Sequence, residues 1–212
     1  SYMGLFTSSK KERIVAIFDI GSGSVGGAIT RIPTDSKEIP TIIKSARTEV
    51  PIREDLNFSV LLEDMLVALN ATATSLYEGK VGAPDEIVCV LASPWYLSET
   101  RIIKIAKEHS FVFTKKLADE SLSKEISALK SSYENKYGGV KSAPEVMEHH
   151  VMGISLNAYL VDDPIGTRSK SVEMHMFISL SPKSCLDKIR QTLSNTFHEM
   201  PISFSSFVMS SY

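Results

Sequence analysis

The chain has 212 residues, 43% hydrophobic and 23% charged, which is enough to bury a sizeable core and lies outside the low-hydrophobicity, high-charge range of disordered chains. A net charge of −2 supplies no basic field to draw the protein onto nucleic acid, so no nucleic-acid partner is expected. No run of about 18 apolar residues occurs and the opening SYMGLFTSSKKER lacks the apolar segment of a signal peptide, so a cytoplasmic protein is expected. Cys89 and Cys185 stand in apolar contexts without partners at metal-ligand spacing and read as buried reduced thiols.

Ile14–Phe18 is a β-branched, apolar strand, and the period continues through the glycines with Val25, Ala28, Ile29 and Ile32, giving strand, tight turn, strand. A third extended segment, Thr41–Val50, follows the polar turn PTDSKEIP, so a three-strand meander is expected. Phe58, Leu62, Met65, Leu66, Leu69, Ala73 and Leu76 then form a helical stripe, with Asn57 or Asp55 to cap its start and Gly79 its end. Ile87–Ala92 is a short continuous apolar strand, which completes a β-β-β-α-β order.

Ser93-Pro94-Trp95 breaks the pattern, and Trp95-Tyr96 reads either as an interface anchor or as core. Thr100–Thr114 is expected to be extended, and Leu122, Ile126, Leu129, Tyr133 and Tyr137 mark an amphipathic helix ended by Gly138-Gly139. Glu148–Val161 and Lys170–Leu180 are expected as two further strands. In the second, Val172, Met174, Met176, Ile178 and Leu180 alternate with the intervening positions, as a half-buried strand requires. Ser181-Pro182 reads as the cap and first turn of a helix whose apolar face is Leu186, Ile189, Leu193 and Phe197, and Ile202–Ser206 as another strand. The chain closes on SSFVMSSY, where a helix is beginning, and reads as cut there; Met3-Gly4 reads as a natural start.

The first turn is the most informative segment. Gly21, Gly23 and Gly26 match G-x-G-x-x-G letter for letter, but a dinucleotide site needs the third glycine to open a helix whose free N–H groups hold the pyrophosphate. Here Gly27-Ala28-Ile29-Thr30-Arg31-Ile32-Pro33 follows, too short and too β-patterned for that helix. Asp19, just before the first glycine, would repel a pyrophosphate unless a cation lay between them, which suits a Mg²⁺-nucleotide. The competing reading is a plain β-hairpin whose glycines supply positive φ.

Asp19-Ile20-Gly21-Ser22-Gly23-Ser24-Val25 resembles the first phosphate motif of the actin-like ATPase superfamily, a strand ending in D-x-G-[ST] followed by a β-hairpin that wraps the phosphates. The resemblance implies that Gly21, Ser22, Gly23 and Ser24 bind ATP and that Asp19 reaches Mg²⁺ through water. Within the superfamily the chain is most similar to FtsA, the bacterial cell-division actin homologue. The order from Thr100 to Leu180 and the stretch HHVMGISLNAYLVDDPIGTRSKSVEMHMFISLS, with Asp163-Pro164-Ile165-Gly166 its most specific piece, carry that likeness.

It implies an α/β fold: a first actin-like (ribonuclease H-like) subdomain at 1–97 and 181–212, with an inserted strand-helix-strand-strand subdomain at 98–180. It also implies only the N-terminal half of such a protein. A second lobe with its own D-x-G-x-[ST] loop and a C-terminal membrane-targeting helix are not found in these residues, so this chain alone is expected to hydrolyse no ATP. The full protein would polymerise, tether FtsZ at the inner face of the membrane at the division site, and use the inserted subdomain for filament or division-partner contacts. Two alternatives share the hairpin, a PilM-like pilus-assembly protein and a small-molecule kinase. FtsA-like sequences carry a Lys where Ser24 stands here, and a serine hydroxyl donates a hydrogen bond without neutralising charge.

Overall fold

A computed structural model describes residues 12–35, 37–53, 57–78, 82–136 and 142–210. Two compact units divide the chain: one runs to Ala92 and resumes at Asp187, and the other is Ser93–Leu186.

The first unit is built on a five-stranded sheet. Strands β1 (Glu12–Ile20), β2 (Ser24–Pro33) and β3 (Thr41–Glu49) form the expected antiparallel meander, and β4 (Glu86–Leu91) and β9 (Ile202–Ser206) add in parallel, in the order β3-β2-β1-β4-β9. Alternation along β1 sends Ala16, Phe18 and Ile20 to a fully buried face and leaves Ile17 and Asp19 half-buried on the other. Ile87, Cys89 and Leu91 of β4 lie beside Ala16, Phe18 and Ile20 in register and are buried with them. Burial pushes the Cys89 thiol up, outweighing the opposite pull of the Arg190 cation, so Cys89 is an inert apolar side chain.

Helix α1 (Phe58–Tyr77) covers this face with Leu62, Met65, Leu69, Ala73 and Leu76. Asn57 is its cap, the side chain accepting from the Ser59 N–H at 2.9 Å, while the alternative cap Asp55 and the expected stop Gly79 lie outside the described residues. Helix α3 (Lys183–Phe197) contributes Ile189, Leu193 and Phe197 to the same core, the Phe197 ring meeting Phe18 edge-on at 6.0 Å. The short helix α4 (Phe207–Ser210) follows β9 directly.

In the second unit, β5 (Leu97–Val112), β6 (Pro144–Leu156), β7 (Tyr159–Leu160) and β8 (Arg168–Pro182) form an antiparallel sheet in the order β5-β8-β6-β7. Helix α2 (Lys115–Lys136) supplies Leu117, Ala118, Leu122, Ile126, Leu129 and Tyr133 to the side on which Val172, Met174, Met176, Ile178 and Leu180 of β8 are buried. Tyr137 and Gly138-Gly139 lie outside the described residues. Trp95 is fully buried, which makes it core rather than an exposed anchor.

Three sequence expectations are corrected here. The extended reading through Thr114 stops at Val112, because Thr114 caps α2, its hydroxyl accepting from the Leu117 N–H at 3.2 Å. Glu148–Val161 is two strands, since Asn157 and Ala158 both take positive φ and reverse the chain in a two-residue hairpin. Ser181-Pro182 ends β8 instead of opening a helix: Pro182 pairs with Pro144, and the Ser181 hydroxyl donates to the Trp95 carbonyl at 2.7 Å, so α3 starts at Lys183.

Candidate functional site

The β1–β2 connection is held from three sides. The Ile20 carbonyl accepts from the Ala92 N–H at 3.0 Å, the Gly21 N–H donates to the Ser24 carbonyl at 3.0 Å, and the Gly23 carbonyl accepts from the Val50 N–H at 2.9 Å. From below, the buried Thr72 hydroxyl of α1 donates to the Val25 carbonyl at 3.2 Å and bonds the Thr48 hydroxyl at 2.9 Å. Gly27 lets α1 come that close: a Cβ there would lie 2.7 Å from Leu76 Cδ1 and 3.0 Å from Thr72 Cγ2. The strand that continues from Ser24 through Gly26 removes the helix a dinucleotide turn requires.

This bonding leaves a particular set of groups open. Among the described residues no acceptor meets the N–H of Ser22 or Gly23, both exposed at the tip. Space around Gly23 is empty, with nothing within 4 Å of where its Cβ would be. Neither Gly21 nor Gly23 has positive φ, which among described glycines belongs to Gly82 and Gly166, so positive φ does not explain their presence in this turn. Two successive exposed amides beside a hydroxyl are donors that an anion can take up from water.

Asp19, Gly21, Ser22, Gly23 and Ser24 are thus brought together within one hairpin, and a residue that sequence reasoning passed over joins them. Arg47 of β3 pairs in register with Gly26, and its guanidinium lies over that glycine, where a Cβ would be 2.5 Å from Nη2 and 2.8 Å from Cζ. Nη2 donates to Asp19 Oδ2 at 2.9 Å and Nη1 to Ser24 Oγ at 2.7 Å. About half of each charged side chain is exposed. Asp19, Gly26 and Arg47 line a groove of about 510 Å³ with Ile17, Ala28 and Ser45, on the sheet face away from α1.

The donor set is chemically suited to a phosphate chain with a divalent cation: free amides and hydroxyls for phosphate oxygens, a guanidinium for their charge, and a carboxylate for a hydrated hard metal. Other candidates do not assemble. His149 and His150 are both exposed, His150 Nε2 lies 3.6 Å from Glu148 Oε2, and no cluster of metal-ligating side chains exists among the described residues. Lys104 pairs with Glu173, Lys115 with Asp119 and Lys116 with Glu120, and Lys107 sits over the Phe111 ring, so that cationic stretch is a solvated, internally paired face. No helix of the described residues is long and apolar enough to cross a membrane.

No protein-family model matches the sequence, and no curated protein matches it. The chain is similar to a solved structure of the PilM-PilN type IV pilus biogenesis complex, with a TM-score of 0.51 and 10% identity over 91% of this chain and 47% of that one. Weaker likenesses include a Bacteroides thetaiotaomicron protein with an actin-like ATPase fold (TM-score 0.36, 8% identity, 96% of this chain and 55% of that one) and the Aquifex aeolicus PPX-GPPA enzyme (TM-score 0.29, 20% identity, 39% and 27%). This chain spans about half the length of the PilM-PilN chain it matches, at 47%. With the sheet order above, the likeness to the PilM-PilN chain shows an α/β fold shared with that chain, a first unit with an inserted strand-helix-strand-strand unit; the inserted sheet carries the two-residue β7 in addition.

Proposed function

We propose that the protein is an actin-like, nucleotide-binding assembly factor of the FtsA kind, holding ATP and Mg²⁺ at the β1–β2 hairpin and working through filament and partner contacts more than through turnover. The observation that carries this reading is the pair of unbonded amides at Ser22 and Gly23, in a turn held rigid on every other side, next to Asp19. In this reading the Ser22 and Gly23 N–H groups and the Ser22 and Ser24 hydroxyls hold phosphate oxygens, and Asp19 orients water on the metal. Bound nucleotide supplies the charge and the contacts that favour an assembled state; the chain's own residues bind and position it. FtsZ and other division proteins are the partners this reading names, at the cytoplasmic face of the membrane at the division site, with attachment through a C-terminal helix.

A second reading is favoured by one observation, the likeness to the PilM-PilN complex, and makes the protein a pilus-assembly component that engages a protein partner through the same fold. Calorimetric titration of the full-length protein with Mg²⁺-ATP tests the shared claim: binding that falls at least tenfold in Asp19→Ala is expected, and unchanged affinity returns the hairpin to a purely structural role. Localisation separates the two machines. Septal foci that vanish on FtsZ depletion support the division reading, and foci that follow pilus components support the other.

A further inference from the structure

We propose that Arg47 is a phosphate-binding residue of this site: it replaces the cation that the hairpin's own sequence lacks and engages nucleotide by exchanging Asp19 and Ser24 for a phosphate. The inference rests on the nucleotide reading of the hairpin. From Asp19 to Ser24 the only formal charge is the Asp19 carboxylate, so a nucleotide phosphate meets amides, hydroxyls and one like charge. Neutral donors leave the phosphate charge uncompensated, and the nearest cation stands on a different strand. Arg47 reaches the hairpin because Gly26, its cross-strand partner, has no side chain, and the planar guanidinium occupies the space a Cβ would fill.

The present partners of Arg47 are the groups a Mg²⁺-nucleotide would claim. Nη2 holds Asp19 Oδ2 and Nη1 holds Ser24 Oγ, a fork geometry that a phosphate accepts equally well and with more charge. Other arginines of this unit are engaged away from the turn: Arg13 with Glu86, Arg31 with Glu12, Arg53 with Asp64 and Arg190 with Asp187. Lys44, also on β3, donates to the Ser75 carbonyl of α1. An ion pair exposed on both sides is worth little net free energy, so Arg47 leaves Asp19 at small cost. When Arg47 transfers to phosphate, the Asp19 carboxylate is released to the water shell of the metal. Arg47 therefore couples the two ligands: without nucleotide it neutralises the metal-binding carboxylate, and with nucleotide it does not.

Calorimetry on the full-length protein tests this with Arg47→Ala and Arg47→Lys, each checked for an unchanged melting temperature, using ATP with Mg²⁺, ATP in EDTA, and Mg²⁺ alone. Loss of one charge-assisted bidentate contact is expected to weaken Mg²⁺-ATP binding about tenfold or more in Arg47→Ala, with partial recovery in Arg47→Lys, which restores charge without the fork. Binding of ATP in EDTA should fall at least as much in Arg47→Ala, and Mg²⁺ alone should bind that variant no more weakly than it binds wild type, because Asp19 has lost its competitor. Wild-type binding of Mg²⁺-ATP that is matched within twofold by Arg47→Ala overturns the inference and leaves the nucleotide reading standing. Absence of any wild-type binding overturns both.

Discussion

The turn Gly21-Ser22-Gly23 between β1 and β2 and the turn Asn157-Ala158 between β6 and β7 both reverse an antiparallel strand pair, yet the first has glycine where the backbone does not require it and the second has alanine where the backbone disfavours it. The glycines of the first turn lie outside the left-handed region, whereas Asn157 and Ala158 sit at φ 49° and 69°. The second turn is tied to β8: Asn157 Oδ1 accepts from the Ser169 hydroxyl at 2.9 Å, the Lys170 N–H at 3.0 Å and the Ser171 N–H at 3.3 Å, and the Asn157 N–H donates to the Ser171 carbonyl at 2.9 Å. In the first turn the carbonyls of Ile20 and Gly23 are bonded, and among the described residues no acceptor meets the amides of the exposed Ser22 and Gly23. Exposed amides bond water in either turn, so what sets the first apart is that two successive amides without a protein acceptor stand beside the Asp19 carboxylate, while the asparagine of the second is bound to β8.

Substitutions can break or sharpen this contrast, and the largest effect belongs to the packed side of the first hairpin. Gly27→Val drives its side chain against Leu76, Thr72 and Phe18, where a Cβ alone already comes within about 3 Å of all three, and overpacking of that kind costs about 1–3 kcal/mol. The neighbouring Gly26→Val meets only the far end of Arg47, which can swing away, so its cost is that of an exposed ion pair, about 0–1 kcal/mol. Urea denaturation of the two variants checks this directly; equal losses would show that the hairpin has no distinct packed and open faces.

Next in size is Asn157→Ala, which removes one acceptor from three donors and places alanine in the left-handed region, for a loss of about 1–2 kcal/mol. Its neighbour should respond with the other sign. Ala158→Gly relieves a left-handed alanine and is expected to stabilise by about 0.5–1 kcal/mol, less the entropy a glycine adds to the unfolded chain. Thermal melts of the pair give the test, and destabilisation by Ala158→Gly would mean that the turn's conformation is not what limits it.

The same contrast explains what the sequence made legible. Alternation and apolar runs place β1, β4, α1 and β8 because each has a face that is largely buried and a period that burial imposes, as Val172, Met174, Met176, Ile178 and Leu180 illustrate. Asn157-Ala158 escaped notice because neither residue is a glycine and the polar-to-apolar rhythm runs through the turn unbroken. Asp19 to Ser24 was legible as a short local motif. Arg47 was not, because its place depends on the register of β3 against β2, which a seven-residue connection and a register shift at Ile29/Thr30 leave undetermined by local sequence. The available signal was the alternation Ser45, Arg47, Glu49, which puts the arginine on one face without saying which residue of β2 it would meet.

The smallest expected stability effect is the most diagnostic for the open turn. Gly23→Ala adds a methyl group into empty space at a residue with ordinary φ, so the melting temperature should stay within the scatter of surface substitutions, about 0.5 kcal/mol in stability terms. If the tip of this hairpin only connects two strands, nothing else should change either. If phosphate oxygens approach the Ser22 and Gly23 amides, the added methyl group stands beside their path, and Mg²⁺-ATP affinity measured by calorimetry falls while stability does not. A variant that keeps both stability and affinity would count against a phosphate at these amides, and one that loses both would show that Gly23 is held by packing that the open space around it does not reveal.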